Sequence, residues 1–164
     1  FTGPPKNKDD DSLVIKNFIG SEGRKVICGG TAANIAEREL KRKLKVNLNF
    51  IDKNIPPTAT MEGIDLITEG VLTLSKVLEK VKKYADPFSE DNEIINFNGE
   101  DAVSRLGKLL IEECTHLNLW VGKAVNPAHQ NPDFPSDLSI KLKLVEQLCE
   151  VMKSLGKKVT VNYV

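Results

Sequence analysis

The stretch that most constrains this chain is Lys25-Val26-Ile27-Cys28-Gly29-Gly30-Thr31-Ala32-Ala33-Asn34. A short apolar run, Val26-Ile27-Cys28, stops at two glycines, and a helix is predicted from Thr31 to Lys43, with Ala32, Ile35, Ala36 and Leu40 at helical spacing. Strand, tight glycine turn and helix together aim backbone N–H groups and the positive end of a helix at one spot. Such a spot suits a small anion, above all a phosphate. The pattern is neither G-x-G-x-x-G nor the Walker motif, so the dinucleotide and nucleoside-triphosphate fingerprints both fail. The alternative reading is a glycine pair that permits a sharp turn and close helix packing.

The rest of the chain alternates in the same way. Phe1-Thr2 reads as the end of a strand turned by Gly3-Pro4-Pro5, and a helix is predicted over about 9–20. Residues 46–51 read as a strand closed by Asp52, and 64–67 as another, which Thr68-Glu69-Gly70 turns into a helix. That helix carries the stripe Val71, Leu74, Val77, Leu78 and Val81. Residues 86–99 read as a surface connection. A helix at about 100–114, a strand at 116–121 stopping at Gly122, a proline-bearing loop at 123–136, a helix at 137–155 and a strand at 158–164 complete the pattern. With 25–51 read as β-α-β, the prediction is an α/β fold of the three-layer Rossmann-like kind. That means an open, mainly parallel sheet with helices on both faces. At 164 residues the chain fits one domain, 1–164. Its opening Phe-Thr-Gly-Pro-Pro reads as the start of an excised fragment.

Charge narrows the partners. Twenty-three basic residues balance 23 acidic ones, so the chain has no electrostatic footprint for nucleic acid or an anionic membrane. No apolar run approaches the length of a membrane span. Cys28, Cys114 and Cys149 are widely spaced with no C-x-x-C. They fit buried thiols in a reducing cytoplasm and give zinc no support.

In a parallel sheet, ligands collect beyond the carboxyl ends of the strands. The loops concerned are Thr2 to Pro5, Cys28 to Asn34, Asp52 to Thr60, Thr68 to Gly70 and Gly122 to Asn131. The candidate ligand-binding residues are therefore Thr2, Gly3, Gly29, Gly30, Thr31, Asn34, Asp52, Glu69, Gly70, Asn126 and His129. Backbone amides of the glycine turn would hold a phosphate or carboxylate, with Thr31 and Asn34 adding side-chain hydrogen bonds to it, and Asp52 lies where a ribose-binding acid would lie. Glu62, Asp65 and Glu69 could supply an acid–base pair or hold a hard metal ion, the alternative for Glu69 being an acid that satisfies helix amides. His129 could shuttle protons near neutral pH. No Ser-His-Asp order or nucleophile elbow occurs, so no catalytic residue is assigned.

Taken together, T-G-P-P at 2–5, C-G-G-T-A-A-N at 28–34, M-E-G-I-D-L-I-T-E-G-V-L-T-L at 61–74 and N-P-A-H-Q-N-P at 126–132 resemble the region after the catalytic domain in bacterial phosphatases similar to stage II sporulation protein E. The likeness runs over nearly the whole chain, including the closing V-T-V-N-Y-V. The resemblance implies a C-terminal accessory domain of a cytoplasmic, bacterial serine/threonine protein phosphatase of the metal-dependent 2C type. Its two manganese or magnesium ions, and the aspartates that hold them, would lie upstream of Phe1. No D-G metal motif of that kind matches here, so no cofactor is assigned to this segment. The expected partners are the upstream phosphatase domain and a small anionic ligand. Two other readings stand beside it. One is an interaction module or homodimer using Phe88, Phe97 and Phe134 as surface aromatics. The other is an independent Rossmann-like enzyme acting on a phosphorylated small molecule.

Overall fold

A computed structural model describes residues 1–47, 56–86, 95–124 and 137–164. A 3-10 turn (Lys8–Asp10) leads into helix α1 (Asp11–Gly20), followed by β1 (Val26–Cys28), α2 (Gly30–Leu40), β2 (Lys45–Val46), β3 (Ala59–Met61), β4 (Ile64–Thr68) and α3 (Val71–Ala85). Then come α4 (Ala102–Lys108), which runs on as a π turn (Leu109–Glu113), β5 (His116–Val121), α5 (Asp137–Ser154) and β6 (Lys158–Tyr163). The fold is mixed α/β.

Four strands form one sheet in the order β1-β4-β3-β2, and β5 and β6 form a second, parallel pair. β1 lies parallel to β4, with Ile27 opposite Ile67. Thr2 joins the two sheets. It bridges in parallel to both Cys28 and Val121. Its N–H donates to the Trp120 carbonyl at 2.9 Å, its carbonyl accepts from Gly122 N–H at 2.8 Å, and Cys28 N–H donates to the Phe1 carbonyl at 2.9 Å.

The strand after α2 departs from the predicted β-α-β crossing. It does not return beside β1. β2 lies at the far edge, antiparallel to β3, and β3 is antiparallel to β4. The cause is the two-residue turn Glu62–Gly63, which sets Met61 opposite Ile64 and needs Gly63 at φ 79°. The Arg42 guanidinium braces that turn by donating to the Glu62 carbonyl at 2.9 Å. The larger sheet is therefore mixed rather than mainly parallel. The predicted strand's residues 48–51, with Asp52, fall outside the described residues.

Alternate residues of the strands feed two apolar clusters. Ile27 and Ile67 pack with Ile15, Phe18, Ala32 and Ile35 of α1 and α2. Cys28 and Leu66 pack with Val77, Val81, Leu106 and Met152 of α3, α4 and α5. A strand covered on both faces has no polar face to alternate with, which accounts for the unbroken apolar run at 26–28. Phe97, expected at the surface, is 3% exposed. Its ring fills the space over Gly107, where a Cβ would stand less than 3.0 Å from the ring carbons. Phe97 is thus a core residue, while Phe88 and Phe134 lie outside the described residues. Among the described residues no helix is long and apolar enough to cross a membrane.

Asp101 starts α4. One carboxylate oxygen accepts from Val103 and Ser104 N–H, each at 2.9 Å, and the other accepts from the Ser104 hydroxyl at 2.7 Å. Burial alone would raise this carboxyl, but the Ser104 and Val103 donors outweigh it and hold the pKa below the ordinary aspartate value. A folded pKa that is depressed contributes stability above the unfolded pKa, and the contribution is lost as pH falls through the folded value. Asp101→Ala should therefore cost about 1 to 2 kcal/mol at neutral pH. Measured by urea unfolding, the gap between variant and parent should narrow as the solution is acidified below the aspartate range.

Candidate functional site

Four chain bends share one rim. Because Phe1-Thr2 runs parallel to β1 and β5, and β1 parallel to β4, all four strands end on the same side. Gly3, Gly29, Gly70 and Gly122 stand at or just past those ends. The bends are in contact. Gly29 N–H donates to the Thr68 carbonyl at 2.9 Å, and a Cβ at Gly70 would lie 3.4 Å from Gly29 Cα. Gly29 itself has φ 124° and ψ 134°, backbone that only glycine adopts readily.

Two helices begin at this rim, and they differ. The Glu69 carboxylate accepts from Leu72 N–H at 3.0 Å and from Thr73 N–H at 3.2 Å, so α3 carries its own cap. At α2 the N-cap is Gly29, which has no side chain to bond the first amides. Gly30 and Thr31 are exposed there, and Thr31 and Asn34 stand one turn apart on the outer face of α2. The open N-terminus of α2 is the end that can receive an anion.

Lys141 of α5 adds a charge. It is 8% exposed, and its ammonium donates to the Gly122 carbonyl. A Cβ on Gly3 would collide with its Nζ. Among the described residues that carbonyl is its one hydrogen-bond acceptor, for a group with three N–H donors. Burial pushes its pKa down. Lys141 was not among the candidates, although a signal existed: it falls in line with Val145, Leu148 and Met152, on a helix face otherwise apolar.

The remaining candidates scatter. The Thr2 side chain is buried and its backbone ties the sheets together. Asp65 sits near the opposite end of β4 from Glu69. It accepts from Lys25 N–H at 2.6 Å and pairs with Arg24 at 2.9 Å. Among the described residues, no group of three or more acidic, histidine or cysteine side chains could hold a metal. Asp52, Asn126 and His129 lie outside the described residues. No family model, no curated protein and no solved structure matches this chain.

Proposed function

We propose that this chain is a non-catalytic regulatory domain that binds a small, phosphate-bearing anion at the rim of Gly3, Gly29, Gly30 and Gly122, and that it adjusts an attached metal-dependent serine/threonine protein phosphatase. The observation that carries the anion is the buried Lys141 ammonium beside Gly3 and Gly122, next along the rim from the open end of α2. The finer architecture belongs to the same reading. With Phe1-Thr2 counted as a strand, the order is β4, β1, Phe1-Thr2, β5, β6, all parallel, with further strands beyond β4. That order supports the reading of a doubly wound, three-layer Rossmann-like sheet, a kind that takes its ligand where strand order reverses. The reversal falls between Phe1-Thr2 and β5, where Lys141 sits. The phosphatase connection is supported by the resemblance of residues 2–5, 28–34 and 61–74. Its manganese or magnesium would belong to the attached domain, and this chain's residues supply binding alone. One Glu69 carboxylate oxygen accepts from Leu72 and Thr73 N–H, which favours its reading as an acid that satisfies helix amides over that of a catalytic base.

Thermal-shift screening of nucleotides and phosphorylated metabolites tests the reading. Lys141→Met removes a buried charge and should leave the melting temperature unchanged or raised. It should nonetheless weaken the best ligand by at least about tenfold, the loss of one charge-assisted contact. Thr31→Asp should act likewise, because a carboxylate favours the start of α2 yet repels an anion. If no compound shifts the parent protein, the anion reading is discarded.

A further inference from the structure

Among the described residues the outer side of β6 pairs with no strand. Lys158 N–H donates to the Thr115 carbonyl at 3.1 Å, Val164 N–H to the Val121 carbonyl at 3.0 Å, and Lys123 N–H to the Val164 carbonyl at 2.9 Å. The even residues of β6 therefore turn their backbone groups to β5. Strand alternation sends both backbone groups of Val159, Val161 and Tyr163 the other way, to the outer edge. Little in the sequence guards that edge. Lys158–Tyr163 contains no proline or glycine, and its one charge is Lys158 at the start.

The helix beside this edge carries both signs of charge. α5 meets α3 on one flank, where the Lys82 ammonium donates to the Gln147 side-chain oxygen at 2.9 Å. On the opposite flank Leu142, Glu146, Cys149 and Lys153 recur at helical spacing. Glu146 and Lys153 are exposed there, and among the described residues neither forms an ion pair. Cys149 packs in one cluster with Val161, so the two stand at the same level. The dimensions agree. From Lys158 to Val161 the strand rises roughly 10 Å, the length of about seven helical residues, and seven residues back from Leu155 is Leu148.

We infer that the outer edge of β6 and the neighbouring flank of α5 form a two-fold interface with a second copy of this chain, the axis passing at Val161. Each β6 lies antiparallel to the other, Val161 opposite Val161 and Val159 opposite Tyr163. Every outward N–H and C=O of those three residues is then paired. Odd residues face odd ones, so both copies hold α5 on the same face of the joined sheet. The two α5 helices run antiparallel, with Cys149 nearest the axis. Glu146 and Lys153 lie on either side of Cys149 at nearly equal distances along the helix, so Glu146 of each copy comes opposite Lys153 of the other. This match selects the occupant. A partner of one charge sign would meet a like charge at Glu146 or at Lys153, whereas a second copy satisfies both.

Sedimentation equilibrium of the chain and of three charge variants tests this. Glu146→Lys and Lys153→Glu each set like charges across the axis and should raise the dimer dissociation constant by at least about tenfold. The two changes combined restore opposite charges and should return it to within about threefold of the parent value. Both side chains are exposed, so thermal unfolding at high dilution should be the same in all four proteins. Hydrogen exchange at the Val159, Val161 and Tyr163 amides should slow as the protein concentration rises through the dissociation constant, while the Thr160 and Asn162 amides, turned to β5, stay protected throughout. A chain that remains monomeric up to about 1 mM overturns the inference. So does a dimer that the single reversals leave unchanged, or one that the double reversal fails to restore. Exchange at the three odd amides that is independent of concentration overturns it as well.

Discussion

Gly122→Ala should lower the stability of this domain by about 3 kcal/mol, which for a chain of this length is a fall of roughly 10 °C in melting temperature. The added methyl would stand less than 3.0 Å from the Pro4 and Gly3 carbonyl oxygens and from Pro4 C. Those are backbone atoms, and they cannot rotate aside as a side chain can. The same place holds the hydrogen bonds from Gly122 N–H to Thr2, at 2.8 Å, and from Ala124 N–H to Pro4, at 3.2 Å. Relief of the clash therefore means prising Phe1-Thr2 from β5, which unties the two sheets. Gly30→Ala is the matched control. A Cβ there meets nothing within 4 Å and the backbone is unstrained, so the change should be neutral or stabilise by up to about 1 kcal/mol. Urea unfolding of the pair checks both signs, and a mild loss at Gly122 equal to that at Gly30 would contradict the described junction.

Leu66→Ala should cost about 3 to 4 kcal/mol. Leu66 is 1% exposed and stands in β4 opposite Val26 of β1, with its side chain in the cluster of α3, α4 and α5. A strand held by neighbours on both edges cannot shift to close the hole, so the larger part of the cavity cost persists. Leu72, 47% exposed on α3, gives the comparison. Leu72→Ala should change stability by no more than about 0.5 kcal/mol. Similar losses at the two positions would mean that β4 is not the covered strand described here.

Much of this organisation is legible in residue order, and the failures have physical causes. Apolar spacing finds α2 to α5, and the acidic residues Asp9, Asp10 and Asp11 at its start find α1. Phe1-Thr2 is recognisable as a strand end because Gly3-Pro4-Pro5 must turn. The β3–β4 hairpin escapes because its turn, Glu62–Gly63, lacks the Asn or Asp that usually accompanies glycine there. Phe97 escapes because Asn96 and Asn98 surround it; its burial depends on Gly107, a helical glycine whose bare backbone accepts the ring. Lys141 is hardest to see. Lysine on an amphipathic helix is ordinarily at the solvent edge, and only the closeness of Gly3 and Gly122, distant in sequence, shows where its ammonium ends.

The proposed anion site is tested most directly by amide chemical shifts during titration with inorganic phosphate and with whichever phosphorylated compound most raises the melting temperature. The amides of Gly3, Gly30, Thr31 and Gly122 should move together and saturate along one curve in the parent protein. In Lys141→Met the same curve should move to ligand concentrations at least about tenfold higher. Shifts confined to other parts of the chain, or the same curve in both proteins, would contradict the account.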